Sequence, residues 1–216
     1  MKTGKEAEVH LIERAVPGTA GCLLAAKRYL GSDHSDFHRS SVYTEGRSVR
    51  DSREARAMKR KSSFGRRVAA GQWALTEFDA LVQAWKAGMA VPYPVQVNGT
   101  EILMEYIGQD RVAAPRLVQS KRRGAELAGA YDQVVRILES FAHMGYVHGD
   151  LSPYNLLDDG GRIVVIDLPQ VIDVAANPLS LDFLHRDVVN VTTWFNRRGL
   201  DVDPEALFAD LIAQMW

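Results

Sequence analysis

The chain has 216 residues, a formal net charge of −1 and 46% hydrophobic residues, which is typical of a globular protein with a sizeable core. The near-neutral charge excludes a general attraction to nucleic acid or anionic lipid. No apolar stretch approaches the roughly 20 residues of a membrane-spanning helix, so we expect no membrane partner. A single cysteine, Cys22, excludes an internal disulfide and favours a cytoplasmic location.

The first 30 residues predict two strands joined by a turn. Glu8–Ile12 and the apolar run that ends at Lys27 flank Pro17–Gly21, a typical turn sequence. Cys22 lies in the second strand, where we expect a buried and inert thiol.

A lysine at the end of a strand has two interpretations. The stem of Lys27 can lie along the strand with its ammonium group in water, or that group can neutralise nucleotide phosphates. The loop before the first strand, Thr3–Ala7, lacks the G-x-G-x-x-G spacing and is a weak phosphate-binding signal by itself. Its place ahead of this strand pair strengthens the signal, and we predict that Lys5 and Lys27 bind phosphates.

Residues 45–67 are strongly basic. Nine Lys or Arg against three acids give the segment a net charge of +6, and therefore −7 for the rest of the chain. Without an apolar face the segment cannot belong to a core. It is either a solvated insertion or an electrostatic contact with RNA phosphates or an acidic partner.

A helix is predicted over residues 72–85. Its apolar face has i, i+3, i+4 and i+7 spacing and consists of Phe78, Leu81, Val82 and Trp85. Glu77 borders this face, so it can point inward and pair with Lys27. Such a pair orients the lysine more than it stabilises the fold.

Residues 91–106 predict an antiparallel hairpin with its turn at Asn98–Gly99. The second strand leads into a linker at Ile107–Gly108. We expect this linker to join a smaller lobe to a larger one. In such an arrangement the backbone from Glu105 to Ile107 faces the adenine of a bound nucleotide.

The most informative motif is HGDLSPYN at residues 148–155. An Asp (Asp150), an Asn five residues later (Asn155) and an Asp twelve residues further (Asp167) have the spacing of a phosphotransferase catalytic loop and its metal-binding hairpin. Asp158–Gly161 supplies the hairpin turn. The hairpin brings Asn155 and Asp167 to the same end of a strand pair.

These residue types suggest roles in catalysis. Asp150 orients or deprotonates the attacking hydroxyl or water. Asn155 and Asp167 offer hard oxygen ligands that hold Mg²⁺, or Mn²⁺ as a second choice, against the triphosphate of ATP. His148 packs and hydrogen-bonds within the loop rather than transferring a proton.

Helical periodicity accounts for much of the remaining chain, with a helix around Tyr131–Ala142 and two more over 182–198 and 204–215. The sequence therefore predicts an α+β, two-lobed, protein-kinase-like fold. Residues 1–107 form a small antiparallel-sheet lobe with one helix, and residues 108–216 form a helical lobe with the catalytic loop.

Several segments together resemble the RIO family of atypical serine/threonine protein kinases. The segments, which spread the resemblance over essentially the whole chain, are Thr3–Ala7, Glu101–Gly108 (EILMEYIG), Ala114–Leu117 (APRL), Asp150–Asn155 (DLSPYN), Ile166–Gln170 (IDLPQ), Asn177–Pro178 and Phe183–Asp187 (FLHRD).

The resemblance implies a trimmed kinase fold without a conventional activation loop, and ATP hydrolysis or autophosphorylation. It implies an aspartyl-phosphate at Asp167 and makes residues 45–67 a characteristic insertion. Eukaryotic and archaeal members act in small ribosomal subunit maturation, so ribosomal RNA or a small-subunit precursor is an expected partner of this insertion. Its Arg-rich form is more similar to bacterial members. Because the chain begins at the phosphate loop, we expect a shortened sequence or an unusually short member.

Three functions remain open at this point. The first is an ATP-dependent Ser/Thr kinase or ATPase of RIO type that uses a protein hydroxyl, its own included, or water. The second is a small-molecule phosphotransferase similar to aminoglycoside or choline kinases, which share HGD-x4-N, although 216 residues leave little room for an acceptor pocket. The third is a binding module in which ATP controls docking of residues 45–67 on ribosomal RNA.

Overall fold

The computed structural model describes residues 2–3, 7–18, 21–30 and 63–215, and the structural statements below concern those residues. The predicted phosphate-loop residue Lys5 lies outside them, as do residues 45–62 of the basic segment.

Backbone contacts divide the chain into two compact units, which are described separately. Unit 1 runs to Val82 and includes Tyr93–Tyr106, and unit 2 comprises Gln83–Pro92 and the chain from Ile107 onward.

Residues 83–92 belong to unit 2, whereas the predicted boundary placed them in the smaller lobe. Backbone hydrogen bonding explains this. The Met89 N–H donates to the Ala84 carbonyl at 3.0 Å, and the Val165 N–H donates to the Ala90 carbonyl at 2.9 Å. The second bond attaches the segment to a strand of unit 2.

Unit 1 contains an antiparallel sheet in the order β1-β2-β3-β5-β4. Its strands are β1 (Lys2–Thr3), β2 (Ala7–Arg14), β3 (Cys22–Tyr29), β4 (Pro94–Asn98) and β5 (Glu101–Glu105). The predicted N-terminal strand pair is confirmed, with Val9 opposite Lys27. The predicted hairpin is confirmed with its turn one residue later, at Gly99–Thr100. Gly99 has φ of +58°, which glycine adopts without strain.

Helix α1 (Ser63–Lys86), whose residues up to Val82 belong to unit 1, begins earlier than predicted and includes residues 63–67 of the basic segment. Its buried side consists of Ala70, Ala74, Glu77, Leu81 and Ala84. The predicted apolar face is therefore wrong in part, since Trp85 is 48% exposed and Glu77 lies in the middle of the buried side. Helical periodicity is read from large apolar residues, whereas most of the buried side of this helix consists of alanines.

The expectation of a buried thiol at Cys22 is wrong, because this cysteine is exposed. Cys22 opens β3 opposite Arg14, but the pairing of β3 with β5 begins only at Leu24. The first residues of β3 therefore pair with β2 alone and have no second neighbouring strand among the described residues.

Unit 2 combines three α-helices with short antiparallel strand pairs, and the α+β class is thereby confirmed for the described residues. The elements are β6 (Gly108–Gln109), β7 (Val112–Ala113), a 3₁₀ turn (Leu117–Gln119), α2 (Gly124–His143), β8 (Tyr146–Val147), β9 (Leu156–Asp159), β10 (Arg162–Val165), β11 (Ile172–Asp173), α3 (Ser180–Asn196) and α4 (Pro204–Ala213). Strand β6 pairs with β7, β8 with β11, and β9 with β10. Among the described residues, no helix is both long and apolar enough to cross a membrane.

Side chains attach the β9–β10 hairpin to the rest of unit 2 from two sides. Gln133 on α2 donates to the Gly161 carbonyl and accepts from the Ile163 N–H, both at 2.8 Å. The Arg122 guanidinium donates to both carboxylate oxygens of Asp158, at 2.9 and 2.6 Å. The hydrogen bond from Arg122 lowers the pKa of Asp158.

We expect Arg122→Ala to lower the free energy of unfolding by about 3 kcal/mol, because removing one partner of a mostly buried ion pair leaves the other desolvated. The two side chains are only 18% and 11% exposed. The matched control is Arg123→Ala at an exposed neighbour, with an expected change of about 0.5 kcal/mol or less. Urea unfolding measures both, and equal losses would contradict the role of the pair.

Candidate active site

Lys27 on β3 forms a buried ion pair with Glu77 on α1. The Lys27 Nζ lies 2.7 Å from Glu77 Oε1, and the two residues are 8% and 1% exposed. The pairing predicted from the sequence is confirmed. Its role toward a nucleotide stays a prediction.

Tyr29 completes this group and was missed by the sequence analysis. Its hydroxyl donates to Glu77 Oε2 at 2.6 Å, and the Lys27 Nζ lies 5.0 Å from the centre of its ring. Because Tyr29 follows Lys27 by two residues on one strand, strand alternation places both side chains on the same face. That spacing was the available signal.

The predicted linker residues lie at the end of β5 and just after it. The Glu105 N–H donates to the Tyr93 carbonyl at 2.8 Å, and the Glu105 carboxylate accepts from the Tyr93 N–H at 3.0 Å. In unit 2, Ile107 is buried and its carbonyl accepts from the Ala114 N–H at 3.0 Å. Each of these bonds lies within one unit, and contact with adenine stays a prediction.

Four residues of unit 2 close a ring of hydrogen bonds around the catalytic loop. The Asp150 N–H donates to His148 Nδ1 at 3.3 Å, and Asn155 Nδ2 donates to the Asp150 carbonyl at 2.8 Å. The Ile166 N–H donates to the Asn155 carbonyl at 2.9 Å, and His148 Nε2 lies 3.3 Å from the Ile166 carbonyl. The ring brings together the predicted residues Asp150 and Asn155 and the residue before Asp167.

These hydrogen bonds also indicate the tautomer of the His148 imidazole. Because Nδ1 accepts from the Asp150 N–H, the proton of a neutral imidazole lies on Nε2 and is donated to the Ile166 carbonyl. The ring of His148 is 1% exposed and packs edge-on against Phe141. Its predicted structural role is therefore confirmed.

Asn155 and Asp167 fit a magnesium ion by the chemistry of their donors. Asn155 Nδ2 is used by the Asp150 carbonyl, so Oδ1 is the side-chain atom that can bind a cation. Asp167 is exposed and has φ of +68°, a conformation uncommon outside glycine, in which Asp is enriched. One or two protein oxygens with phosphates and water are usual for Mg²⁺ at nucleotide sites.

Asp187 on α3 holds the backbone on both sides of Asp150, a role that could not be seen in the sequence. One carboxylate oxygen accepts from the Gly149 N–H at 2.7 Å and the other from the Leu151 N–H at 2.8 Å. Asp187 is 0% exposed. Burial raises the pKa of Asp187 to about 7, although the two N–H donors act in the opposite direction. The only sequence signal was its place in the FLHRD segment.

Solved structures support the fold. The chain superimposes on the Rio2 kinase of Chaetomium thermophilum in its ADP/Mg²⁺-phosphoaspartate complex with a TM-score of 0.70, covering 99% of this chain and 59% of that one at 20% identity. Another structure of that kinase gives a TM-score of 0.68 at 19% identity, with coverages of 98% and 60%. At this identity the likeness concerns the fold, and the chain has the protein-kinase-like fold.

Sequence comparison then defines the family. A model of the RIO domain matches residues 34–207, and the chain belongs to the RIO family. It is 38% identical over 136 residues to the RIO-type serine/threonine-protein kinase Rio1 of Haloferax volcanii, covering 63% of this chain and 46% of that protein. It is 34% identical over 129 residues to human serine/threonine-protein kinase RIO3, covering 59% of this chain and 25% of that protein. The match thus spans less than half of either relative.

We expect Gly149→Ala to be far more destabilising than Gly160→Ala. Both glycines have positive φ, +84° and +60°, so alanine strains the backbone by about 1–2 kcal/mol at either site. A Cβ on Gly149 would also lie 2.5 Å from the Gln170 carbonyl, whereas one on Gly160 meets open space. Chemical denaturation should show a loss of at least about 3 kcal/mol for Gly149→Ala. Similar losses for the two variants would contradict the close approach.

The buried carboxylate predicts a pH dependence of stability. Burial raises the pKa of Asp187 in the folded chain from 3.8 to about 7. The contribution of Asp187 to the free energy of unfolding is therefore fully present below pH 4 and is lost as the pH rises through 7. The difference in unfolding free energy between the parent chain and Asp187→Asn should therefore fall over this range by on the order of a few kcal/mol and stay flat above pH 8. Urea titrations at each pH measure it, and a constant difference would mean that Asp187 titrates normally.

Proposed function

We propose that this chain is an atypical serine/threonine protein kinase of RIO type that uses Mg²⁺ and ATP. The γ-phosphoryl group is transferred to a protein hydroxyl, its own included, or to water. The observation that carries the proposal is the hydrogen-bonded ring that fixes Asp150 beside Asn155 and the start of Asp167. Phosphoryl transfer depends mainly on positioning and charge neutralisation, which such a ring supplies. The names of the matched RIO-type kinases support the same reaction.

The residues of unit 2 carry the chemistry. Asp150 accepts the proton of the attacking hydroxyl or orients it. Asn155 Oδ1 and the Asp167 carboxylate hold the magnesium ion, and manganese accepts the same oxygen donors. When bound, the ion neutralises charge on the phosphate oxygens.

A second group of residues binds the nucleotide. Lys27 contributes its positive charge to the phosphates, and Glu77 and Tyr29 hold its ammonium group in one place. Lys5 adds a second positive charge to the phosphate loop. The backbone of Glu105 and Ile107 faces the adenine.

A phosphoryl group on Asp167 is part of the proposal. The Chaetomium Rio2 structure is of a phosphoaspartate complex with ADP and Mg²⁺. In this chain a carboxylate oxygen of Asp167 forms a bond to the γ-phosphorus as the bond to the ADP oxygen breaks. Water then attacks the acyl phosphate and releases inorganic phosphate and the free carboxylate. The exposure of Asp167 leaves it accessible for both steps.

The proposed partners follow from the charge distribution. A protein hydroxyl, or the chain itself, receives the phosphoryl group. The basic residues 45–67 contact the phosphates of ribosomal RNA or a small-subunit precursor, a contact that weakens steeply with salt. The proposed location is the cytoplasm.

The first experiment follows the γ-phosphate of labelled ATP with the parent chain, Asp150→Asn and Asp167→Asn. We expect label on the parent chain or on an added protein, and its loss by at least about 100-fold in both variants, because each removes a group that contacts the reacting atoms. Hydroxylamine removes label held as an acyl phosphate but not as a phosphoester. Asp201→Asn, at an exposed loop residue, is the matched control and should keep full activity.

The distribution of the label separates the alternatives. Release as free phosphate alone, lost in both variants, identifies the ATPase form of the proposal. Transfer stimulated by small alcohols or amino sugars, without protein labelling, favours a small-molecule phosphotransferase. Tight ATP binding by the parent chain without turnover contradicts the proposed catalytic activity and leaves an ATP-controlled binding module.

A further inference from the structure

Two consecutive residues of α3 hold both polar backbone groups of Gly149. The Gly149 N–H donates to the Asp187 carboxylate at 2.7 Å, and the Gly149 carbonyl accepts from Nη2 of the Arg186 guanidinium. The bond from Asp187 fixes the start of the catalytic loop. The bond from Arg186 acts one peptide further along, on the peptide that leads into Asp150.

The Gly149–Asp150 peptide is held at both of its ends. Its oxygen accepts from Arg186, and its N–H donates to His148 Nδ1 at 3.3 Å. Because a peptide group is planar, fixing both its oxygen and its N–H fixes the plane. The direction in which the Asp150 side chain leaves the backbone depends on that plane.

This peptide needs such a restraint more than its neighbours do. Gly149 has φ of +84° and no side chain, so rotation about its backbone bonds meets little steric resistance. A turn of the peptide plane would displace the Asp150 carboxylate. A displacement of about 1 Å at a reacting group can reduce a rate by about 10²-fold.

Arg186 is well suited to restrain the peptide without being part of the core. Its guanidinium carbon lies 5.0 Å from the centre of the Phe183 ring, which is one helical turn earlier on α3. This contact directs the side chain toward the loop. Arg186 is exposed, so replacing it removes little buried apolar surface. Burial raises the pKa of Asp187, and the positive charge of Arg186 acts in the opposite direction.

We infer that Arg186 is a positioning residue, which holds the Gly149–Asp150 peptide so that the Asp150 carboxylate points toward the phosphoryl acceptor. The inference rests on the proposed function for its kinetic consequence. Its structural consequence, a fixed peptide plane before Asp150, is independent of any activity.

The test compares Arg186→Met and Arg186→Lys with Arg198→Met. Methionine keeps a flexible, unbranched side chain but has neither the positive charge nor a hydrogen-bond donor, whereas lysine keeps a charge and a donor. Arg198 is a matched control, because its guanidinium donates to the Ser120 and Val118 carbonyls and stacks on Trp194 at 4.2 Å.

We expect Arg186→Met to lower kcat by about 10- to 100-fold, with the KM for ATP and the thermal midpoint nearly unchanged. Arg186→Lys should recover part of kcat. Arg198→Met should lower the thermal midpoint and leave kcat within about twofold. A change in kcat of less than about twofold for Arg186→Met, or no recovery with lysine, would overturn the inference.

Amide hydrogen exchange provides the second readout. In Arg186→Met the amides of Gly149, Asp150 and Leu151 should exchange faster than in the parent chain, and in Arg198→Met they should not. If the parent chain shows no turnover but these amides exchange faster in Arg186→Met than in the parent chain, the proposed function is contradicted and the restraint on the peptide is supported. Unchanged amide exchange and a normal kcat in Arg186→Met would contradict the restraint by Arg186 but not the proposed function.

Discussion

The geometry of the catalytic loop depends on one buried carboxylate. Asp187 accepts the N–H groups of Gly149 and Leu151, which lie on either side of Asp150. This part of the loop belongs to no helix or strand, so these buried donors have no ladder of backbone partners. Leaving each unsatisfied would cost about 1–3 kcal/mol. Because a single rigid side chain satisfies both, the position of the residue between them is determined by helix α3.

The ring of His148, Asp150, Asn155 and Ile166 extends this constraint from the loop to the hairpin. Each member donates to one neighbour and accepts from another, so the loop and the β9–β10 hairpin cannot shift independently. Asp167 follows Ile166 directly, so the bonds to the Ile166 backbone also restrict where Asp167 lies. The amide of Asn155 has two tasks, since Nδ2 closes the ring and Oδ1 remains as a cation ligand. A preorganised site of this kind needs little rearrangement when a nucleotide binds.

Much of the site could be predicted because its functional residues lie at characteristic intervals along the sequence. The interval from Asp150 through Asn155 to Asp167, with a turn between two apolar runs, implies the hairpin and its end. Lys27 and Glu77 were found because each lies on a regular strand or helix whose period indicates direction. Asp187 could not be found in this way, since its partners are backbone groups 36 to 38 residues away and no period connects them. The buried side of α1 was predicted only in part, because alanines rather than large apolar residues make up most of it.

Two unfavourable features lie close to Asp150. Asp167 has a positive φ angle, which is strained for a residue other than glycine, and Asp187 is a carboxylate removed from water. Each is of order 1–3 kcal/mol less favourable than an ordinary alternative. The apolar interior of unit 2 offsets them, with Leu151, Leu156 and Val165 fully buried. An apolar residue in place of Asp187 would remove the buried charge but leave two N–H groups without acceptors. The structure thus keeps a less stable arrangement where the backbone beside Asp150 must be held in one conformation, as expected of a site selected for chemistry rather than stability.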